Sequence, residues 1–593
     1  TVAIYSETDA FAPFVLEADA AIALSGTTPA ETYLDTEKVL EACRMSGADA
    51  LHPGYGFLSE NTGFAQAIQA AGMIFIGPST TAIDQMGDKL SAKALMQAAG
   101  VPTLPAIALT GAEDLAAAGE SIGYPVLVKA SAGGGGRGMR VVETPEALAA
   151  AVASAQREAG SAFGDDTVFL ERWLSTSRHV EIQILGDQLG HVVHCFEREC
   201  SIQRRHQKII EEAPSPAVTE AVRAAMGDAA VAAAKAIGYY SAGTVEFLLA
   251  GEEFFFLEVN TRLQVEHPIT EEITGLDLVR EQIRVAEGHA LEFSQEDLSI
   301  SGHAIEARIY AENPARDFLP APGTIKAWQP STVAKARFDS GIETGSIIGT
   351  QFDPMIAKVI VHAKTRAEAI SRLARVLETT RIQGLTTNRD FLVATLRTQA
   401  FQDGDTTTDF IERVNPARET IVATQHLHHA AIASAIELRA QRQRQATVLK
   451  GIPRGWRNSH LPPQRVSFTY RALELNLEYR TERDQTLRFS INDEPCHCQV
   501  YEAGEGFVDC RIGAQRLQFQ VNASDDELLV HGPDGDITLQ RKPRFPRKDM
   551  DGLSGGLTAP MPGKVLAIKT ADNARISKGD TLLILEAMKM EHQ

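Results

Sequence analysis

"GTVEFLLAGEEFFFLEVNTRLQVEH" (Gly243–His267) carries two apolar, aromatic-rich runs on either side of Gly251–Glu252, the composition of a β-hairpin. Pairing about that turn sets Glu246 opposite, or nearly opposite, Glu258, roughly 5 Å apart across the strands. Two carboxylates at that spacing repel unless a positive charge lies between them. A hard cation such as Mg²⁺, which prefers carboxylate and phosphate oxygens, meets the need. While the chain stays extended, Glu258, Asn260, Arg262, Gln264 and Glu266 share one parity and project to one face. A solvated sheet surface is one reading of that face. The other is a metal-and-anion site, and two metal-type carboxylates followed by a cation, an amide and another carboxylate favour it.

Upstream, "RRHQK" (Arg204–Lys208) is a basic knot in an acidic chain. It is a solvated turn, or, beside a nucleotide site, a holder of phosphate or a small oxyanion. Further upstream, "YPVLVKASAGGGGRGMRVV" (Tyr124–Val142) places glycines between two strand-like runs. Gly133, Gly135 and Gly138 formally satisfy G-x-G-x-x-G, but a dinucleotide site needs a helix after the last glycine, and "MRVV" reads as a strand. No Gly-Lys-Ser/Thr follows, which excludes a Walker A loop. A hairpin whose bare backbone N–H groups close over phosphates, with Lys129 adding a charge, competes with a plain surface loop.

The 593 residues exceed one hydrophobic core, so three or more domains are expected. The net charge of −20 argues against a general nucleic-acid or anionic-membrane surface. No apolar run reaches the eighteen residues of a membrane span. Six scattered cysteines (43, 195, 200, 496, 498 and 510) suit free thiols in a reducing compartment, bacterial cytoplasm or mitochondrial matrix.

To about Thr420 short apolar strands alternate with Ala-rich helical stretches, an α/β pattern. A helix follows over His426–Gln443. Eight alternating segments from "VSFTYRA" to "DITLQRK" then predict an antiparallel barrel or sandwich. "KPRFPRKDMDGLSGG" has the composition of a linker. The chain closes on "LTAPMPGKVLAI" and "KGDTLLILEAMKMEHQ", where Lys589 sits between two methionines at the end of a strand-like run.

The joint order of "HPGYGFLSEN", "MGDK", "KASAGGGGRGMR", "RHVEIQ", "ERECSIQRRHQKIIEEAPSP", "EVNTRLQVEHPITE", "GHAIEARIYAE" and "EAMKM" resembles the biotin-containing α subunits of biotin-dependent acyl-CoA carboxylases over nearly the whole chain. The resemblance implies a multidomain protein. An α/β ATP-grasp biotin carboxylase (1–420, with a mobile lid at about 101–173) precedes a helix-plus-antiparallel-barrel domain (421–544) that docks a carboxyltransferase β subunit. A linker (545–556) and an all-β, lipoyl-like biotinyl domain (557–593) follow. It implies ATP and Mg²⁺ or Mn²⁺, with biotin on Lys589. Lys89, Lys129, Gly135 and Gly136 would meet ATP phosphates, Glu171, Arg172, Trp173 and Leu174 the adenine, and His179 and His206 the nucleotide. Glu246, Glu258 and Asn260 would hold the metal. Lys208, Arg262, Gln264 and Val265 would hold bicarbonate, and Glu266 would deprotonate it. Arg308 would stabilise the enolate oxygen of biotin, an oxyanion-hole role.

The family's opening strand and glycine turn do not precede "TVAIYS", and the strands that complete a biotinyl barrel do not follow Lys589, so a longer natural chain is expected. No segment is left to bind an acyl-CoA, so carboxyl transfer falls to a separate β subunit, in an α6β6-type assembly. A biotin protein ligase is a second partner; neither nucleic acid nor membrane is. The expected acyl substrate is 3-methylcrotonyl-CoA, with propionyl-, acetyl- and geranyl-CoA as alternatives. A biotinylated carrier with an inactive ATP-grasp domain is the alternative of another class, and the intact Glu246, Glu258, Arg262, Glu266 and Arg308 set argues against it. Replacing Lys589→Arg is expected to abolish the streptavidin-blot signal of the expressed chain, with an intact-mass difference of one biotin from wild type.

Overall fold

The computed structural model describes residues 1–593 except 110–113, 132–138, 164–165, 205–206, 449–450, 453–455, 457, 460–461, 525, 546–562, 572–573, 578, 588–589 and 593. Gly135, Gly136, His206 and Lys589 therefore lie outside the described residues, as does most of the expected linker.

The first module pairs Val2–Ser6 with Ala20–Leu24 in parallel and packs helices Thr36–Ser46 and Thr62–Ala70 against them. Leu24, Val39, Leu40, Phe64 and Ile68 fill its core. Asp35 and Asn61 accept backbone N–H bonds that start the two helices, the usual use of short polar side chains. A second module has four strands in the order Ala106–Ala108, Val168–Arg172, Val126–Ala130, Arg140–Val142. Val126 pairs with Val142, so the glycine run does join two antiparallel strands, as "MRVV" predicts.

The central sheet has eight strands: β1 Arg178–Gly186, β2 Val192–Arg204, β3 Gln207–Ala213, β4 Ser241–Ala250, β5 Glu253–Asn260, β6 His303–Tyr310, β7 Arg337–Ser340 and β8 Met355–Ala363. Their order is β5-β4-β1-β2-β3-β6-β8-β7, antiparallel throughout. Helix Glu220–Ala236 covers one part of it through Met226, Ala230 and Ala233.

Eight strands from Gln464–Tyr470 to Gly535–Arg541 close into an antiparallel barrel. The helix that precedes them runs Thr424–Arg444, slightly longer than read from sequence. Its Leu427, Ala431, Ile432, Ala435 and Ile436 share one core with Phe468, Leu477, Phe489, Val508 and Leu539 of the barrel. Its middle offers small and apolar residues on more than one face, and the alanines let strands approach closely. The final sheet pairs Lys564–Ile568 with Leu583–Ala587, and the latter with Met590–His592. All six cysteines are free thiols.

One half-buried carboxylate ties the barrel to the α/β part. Asp536, on the last barrel strand, accepts bonds from Gln383 Nε2 (3.0 Å) and the Ile382 backbone N–H (3.3 Å), and forms a short ion pair with Arg389. His531 Nδ1 lies 2.9 Å away. Burial opposes its charge, but Arg389 and then His531 hold the carboxyl below the usual range. Asp536→Ala leaves Arg389 buried with Asp390 alone and is expected to cost about 3 kcal/mol at most. Hydrogen exchange should accelerate at residues 381–389 while the Thr424–Arg444 helix stays protected.

Candidate active site

A cleft of about 1800 Å³ opens between the first module, the four-stranded module and the central sheet. Its walls include every described candidate except Glu266: Lys89, Lys129, Glu171, Arg172, Trp173, Leu174, His179, Lys208, Glu246, Glu258, Asn260, Arg262, Gln264, Val265 and Arg308. Glu266 lies just behind the wall, with no exposed surface.

Strand register builds the floor. Glu246 is the cross-strand partner of Glu258 on one side and of Glu181 on the other, and Glu181 is the partner of Arg198. Arg198, Glu181, Glu246 and Glu258 thus form one row across β2, β1, β4 and β5. Cross-strand partners share a face, so the row concentrates three carboxylates on one side of the sheet. Lys208 Nζ answers them from β3. It donates to Glu181 Oε2 (2.5 Å), Glu246 Oε1 (3.0 Å) and Glu266 Oε1 (2.6 Å). Burial works against this ammonium, but the three carboxylates raise its pKa well above the ordinary lysine value.

Glu246 also accepts from Asn260 Nδ2 (2.9 Å) and Gln264 Nε2 (3.2 Å), and His179 Nε2 stands 2.9 Å from its second oxygen. Burial opposes the charge, yet Lys208 and His179 hold the Glu246 carboxyl far below the carboxylate range. Glu258 is different. Its side chain is 37 % exposed to the cleft, and its Oε2 stands 3.8 Å from Lys89 Nζ, beyond hydrogen-bond reach. Desolvation by the cleft walls, then the Glu246 charge, push its carboxyl up. Lys89 is thus its counter-charge without a hydrogen bond, and Glu246, Glu258 and Asn260 offer the hard oxygens that suit Mg²⁺.

Glu266 joins the site by another route than sequence parity. β5 ends at Asn260, so the alternation expected to Glu266 stops there, and Glu266 instead precedes helix His267–Thr274. Its carboxylate still arrives beside the row, held by Lys208 and by Arg308 Nη2 (3.0 Å to Oε2). Against burial, Lys208, Arg308 and Arg198 keep it well below the carboxylate range. Arg262 is likewise turned by its neighbours: Nε donates to Glu60 Oε2 (2.8 Å) and Nη2 to Asn260 Oδ1 (3.1 Å). The Val265 carbonyl accepts from Lys358 Nζ (2.7 Å).

On the opposite wall, Glu171 bridges two lysines. Lys129 Nζ lies 3.0 Å from its Oε2, and Lys93 makes a still shorter pair with Oε1. Burial opposes the charge, while Lys129 and then Lys93 lower the carboxyl's pKa. Lys89 opens the helix Lys89–Ala98, and its N–H donates to the Ser131 carbonyl beside the glycine run (3.3 Å).

Sequence reasoning assigned no role to Glu60, Lys93, Glu181 or Arg198. Glu60 and Glu181 stand within quoted motifs, "HPGYGFLSEN" and "RHVEIQ"; Glu60 meets Arg262 from far along the chain, and Glu181 meets Arg198 on the next strand and Lys208 on β3. Arg198 has no exposed surface and donates to Glu181 Oε1 (2.6 Å), Gln183 Oε1 (2.6 Å), Thr270 Oγ1 (2.9 Å) and Thr244 Oγ1 (3.1 Å).

Five family models match the chain in succession. They are the biotin carboxylase N-terminal domain (residues 1–83), the carbamoyl-phosphate synthase L chain ATP-binding domain (88–294) and the biotin carboxylase C-terminal domain (306–413). The methylcrotonyl-CoA carboxylase α-subunit BT domain (425–544) and the biotin-requiring enzyme model (556–593) follow. The mitochondrial methylcrotonoyl-CoA carboxylase subunit alpha of Oryza sativa subsp. japonica is 40% identical, over 100% of this chain and 86% of that protein. The propionyl-CoA carboxylase alpha chain of Ruegeria pomeroyi is 38% identical, over 100% of this chain and 92% of its own. Among solved structures, the biotin carboxylase domain of Hydrogenobacter thermophilus 2-oxoglutarate carboxylase, with MgADP, ADP and bicarbonate, has a TM-score of 0.69 and 43% identity. That likeness covers 71% of this chain and 94% of that one.

Two arginines are expected to separate in a stability and kinetics screen. Arg198→Met removes four buried hydrogen bonds and leaves Glu181 to Lys208 alone, and should cost roughly 3 kcal/mol or more by denaturant titration. Arg262→Met, at the cleft wall, should shift the midpoint by about 1 kcal/mol or less while ATP turnover falls.

Proposed function

The chain belongs to the α subunits of biotin-dependent acyl-CoA carboxylases, and from that premise we propose roles for its cleft residues and an acyl substrate for its assembly. ATP-grasp carboxylase activity, covalent biotin, ATP and Mg²⁺ come with membership, and so does a carboxyltransferase β partner. The Lys208 hub carries the assignment of roles, because it joins the proposed metal ligand Glu246 to the proposed base Glu266 through one ammonium.

In this reading Lys89 and Lys129 bind nucleotide phosphates, and Glu171–Leu174 and His179 wall the nucleotide. Gly135, Gly136 and His206 belong to the same pocket on sequence grounds, and Lys589 is the biotinylated residue. Glu246, Glu258 and Asn260 hold the metal, which when bound neutralises charge on ATP phosphate oxygens. Lys208, Arg262, Gln264 and the Val265 backbone orient bicarbonate. Glu266 removes its proton, so that the bicarbonate oxygen attacks the γ-phosphorus and ADP leaves. The carboxyphosphate so formed breaks its C–O bond to give CO₂ and phosphate; the phosphate takes the proton of the ureido N–H of biotin, Arg308 meets the negative charge that develops on the ureido oxygen, and the nitrogen adds to CO₂.

The roles correspond to a division of the chain into 1–420, 421–544, 545–556 and 557–593, with 101–173 as the lid. The substrate assigned to the assembly is 3-methylcrotonyl-CoA, on the BT-domain match and the full-length likeness to methylcrotonoyl-CoA carboxylase α subunits. Propionyl-CoA is the second reading, on the Ruegeria relative. An α6β6 assembly and a biotin protein ligase complete the proposed partners. The proposed compartment is reducing, cytoplasm or mitochondrial matrix, on the six free thiols and the mitochondrial relatives.

Two isosteric variants test the cleft roles. Glu258→Gln should raise the Mg²⁺ needed for half-maximal ATP cleavage. Glu266→Gln should retain nucleotide binding and lose roughly a hundredfold or more in bicarbonate-dependent turnover. Loss of ATP binding in Glu266→Gln, with single-turnover chemistry intact, would move Glu266 to the metal site. Reconstitution with the β subunit should carboxylate 3-methylcrotonyl-CoA in preference to propionyl- and acetyl-CoA.

A further inference from the structure

Behind Arg308, outside the cleft, two more glutamates are buried side by side. Glu211 on β3 and Glu306 on β6 are cross-strand partners with no exposed surface. Neither oxygen of Glu306 accepts a hydrogen bond among the described residues. Arg308 Nη2 stands 2.5 Å from Glu211 Oε1, an ionic contact too poorly directed to count as a hydrogen bond, so Glu211 has a counter-charge and Glu306 does not.

Charge balance sharpens the anomaly. Around Glu266 the cations Lys208, Arg198 and Arg308 face Glu181, Glu246, Glu266, Glu211 and Glu306. The other groups facing Glu306 do not close the gap. Lys358, from β8, is engaged by Asp339 on β7 (3.4 Å) and by the Val265 carbonyl. Burial, then Lys358, push His267 down to about 3, so that imidazole is neutral. An ionised Glu306 would therefore be a buried charge with no partner, which proteins avoid by protonation.

We propose that Glu211 and Glu306 share one proton and together position Arg308: the neutral carboxyl donates to its ionised neighbour, and that carboxylate holds the guanidinium beside Glu266. Desolvation, opposed by Lys358 and reinforced by the Glu211 charge, raises Glu306 to about 8; desolvation, opposed by Arg308, raises Glu211 to about 7. The two titrate as a pair. Arg308 is then gripped from both sides, by Glu211 and Glu266, while it lines the cleft. A second ionisation of the pair adds a negative charge next to the one group assigned to stabilise negative charge on biotin. The positioning role rests on the proposed function of Arg308; the shared proton does not.

Thermal unfolding of the full chain from pH 5 to pH 8 tests the proton, and biotin kinetics test the positioning. A carboxyl raised from 4.5 in the unfolded chain to about 8 in the native state keeps a proton that the unfolded chain releases. Wild type therefore loses stability as pH rises through that window, and Glu306→Gln, neutral at that position in both states, lacks the Glu306 share of the loss. The midpoint of Glu306→Gln minus that of wild type is expected to climb from pH 5 to pH 8; a flat or falling difference overturns the shared proton. In ATP cleavage driven by free biotin, Glu306→Ala should lose about tenfold in kcat/KM for biotin, and Glu306→Gln should recover to within about threefold. Recovery in Gln marks a neutral donor. An Ala variant with wild-type biotin efficiency, or a Gln variant as poor as Ala, overturns the positioning role. If Arg308→Ala leaves biotin kinetics unchanged, the role of Arg308 fails instead, and the pH trend of the midpoints still decides the proton.

Discussion

One ammonium group, that of Lys208, allows three carboxylates to meet in the interior. Glu181 and Glu266 have no exposed surface and Glu246 has almost none, so without a shared cation their mutual repulsion and desolvation would drive them apart or protonate them. The requirement reaches outward. Lys208 must come from β3, two strands from Glu181 in the sheet order, so both must stand at fixed heights for one ammonium to reach the row. Arg198 locks that height from β2 by holding Glu181 together with Gln183, Thr270 and Thr244. The sheet register and the charge pattern are thus one constraint. A one-residue slip of any central strand would carry its charged side chain to the opposite face.

What the amino-acid order reveals here depends on how local the physics is. The Glu246–Glu258 pairing was legible because a hairpin fixes its own register, and the observed partners are those two residues. The barrel was legible for a similar reason: eight alternating segments with short turns pair in chain order, and a helix with small and apolar residues on more than one face needs more than one wall. Glu181 and Arg198 were not legible, because β1 meets β4 out of chain order and the β1–β2 hairpin shifts register between His194 and Glu197. Glu266 was picked for a sound chemical reason on a geometric premise that holds only to Asn260. It reaches the row because the chain turns into a helix that packs on the same sheet.

Two kinds of buried charge divide the molecule. Asp536 with Arg389 and Gln383 is complete: each group has its partners, and the cluster joins barrel to sheet. The cleft is incomplete by design of its charges. Glu258 faces Lys89 across 3.8 Å without a hydrogen bond, and behind the cleft neither oxygen of Glu306 accepts a hydrogen bond among the described residues. Buried polar groups in a settled core are satisfied, so the unsatisfied ones mark where a cation, an anion or a proton has to be supplied.

That incompleteness bears on how a carboxylate as weakly basic as Glu266 could act as a base. In the structure its charge is held down by Lys208 and Arg308 together, and in that state it has little tendency to take a proton. Both cations, however, are those assigned to substrates: Lys208 to bicarbonate and Arg308 to biotin. Each substrate that draws a cation toward itself weakens that cation's hold on Glu266 and raises its basicity, because a carboxylate's proton affinity rises as opposite charge withdraws. Glu211 works in the same direction by offering Arg308 a second anchor, so that the arginine can leave Glu266 without losing its counter-charge. On the proposed roles, Glu266 is a weak base until bicarbonate and biotin engage these cations, and it strengthens as they do. In such an arrangement ATP cleavage is coupled to the presence of the groups that are to be joined.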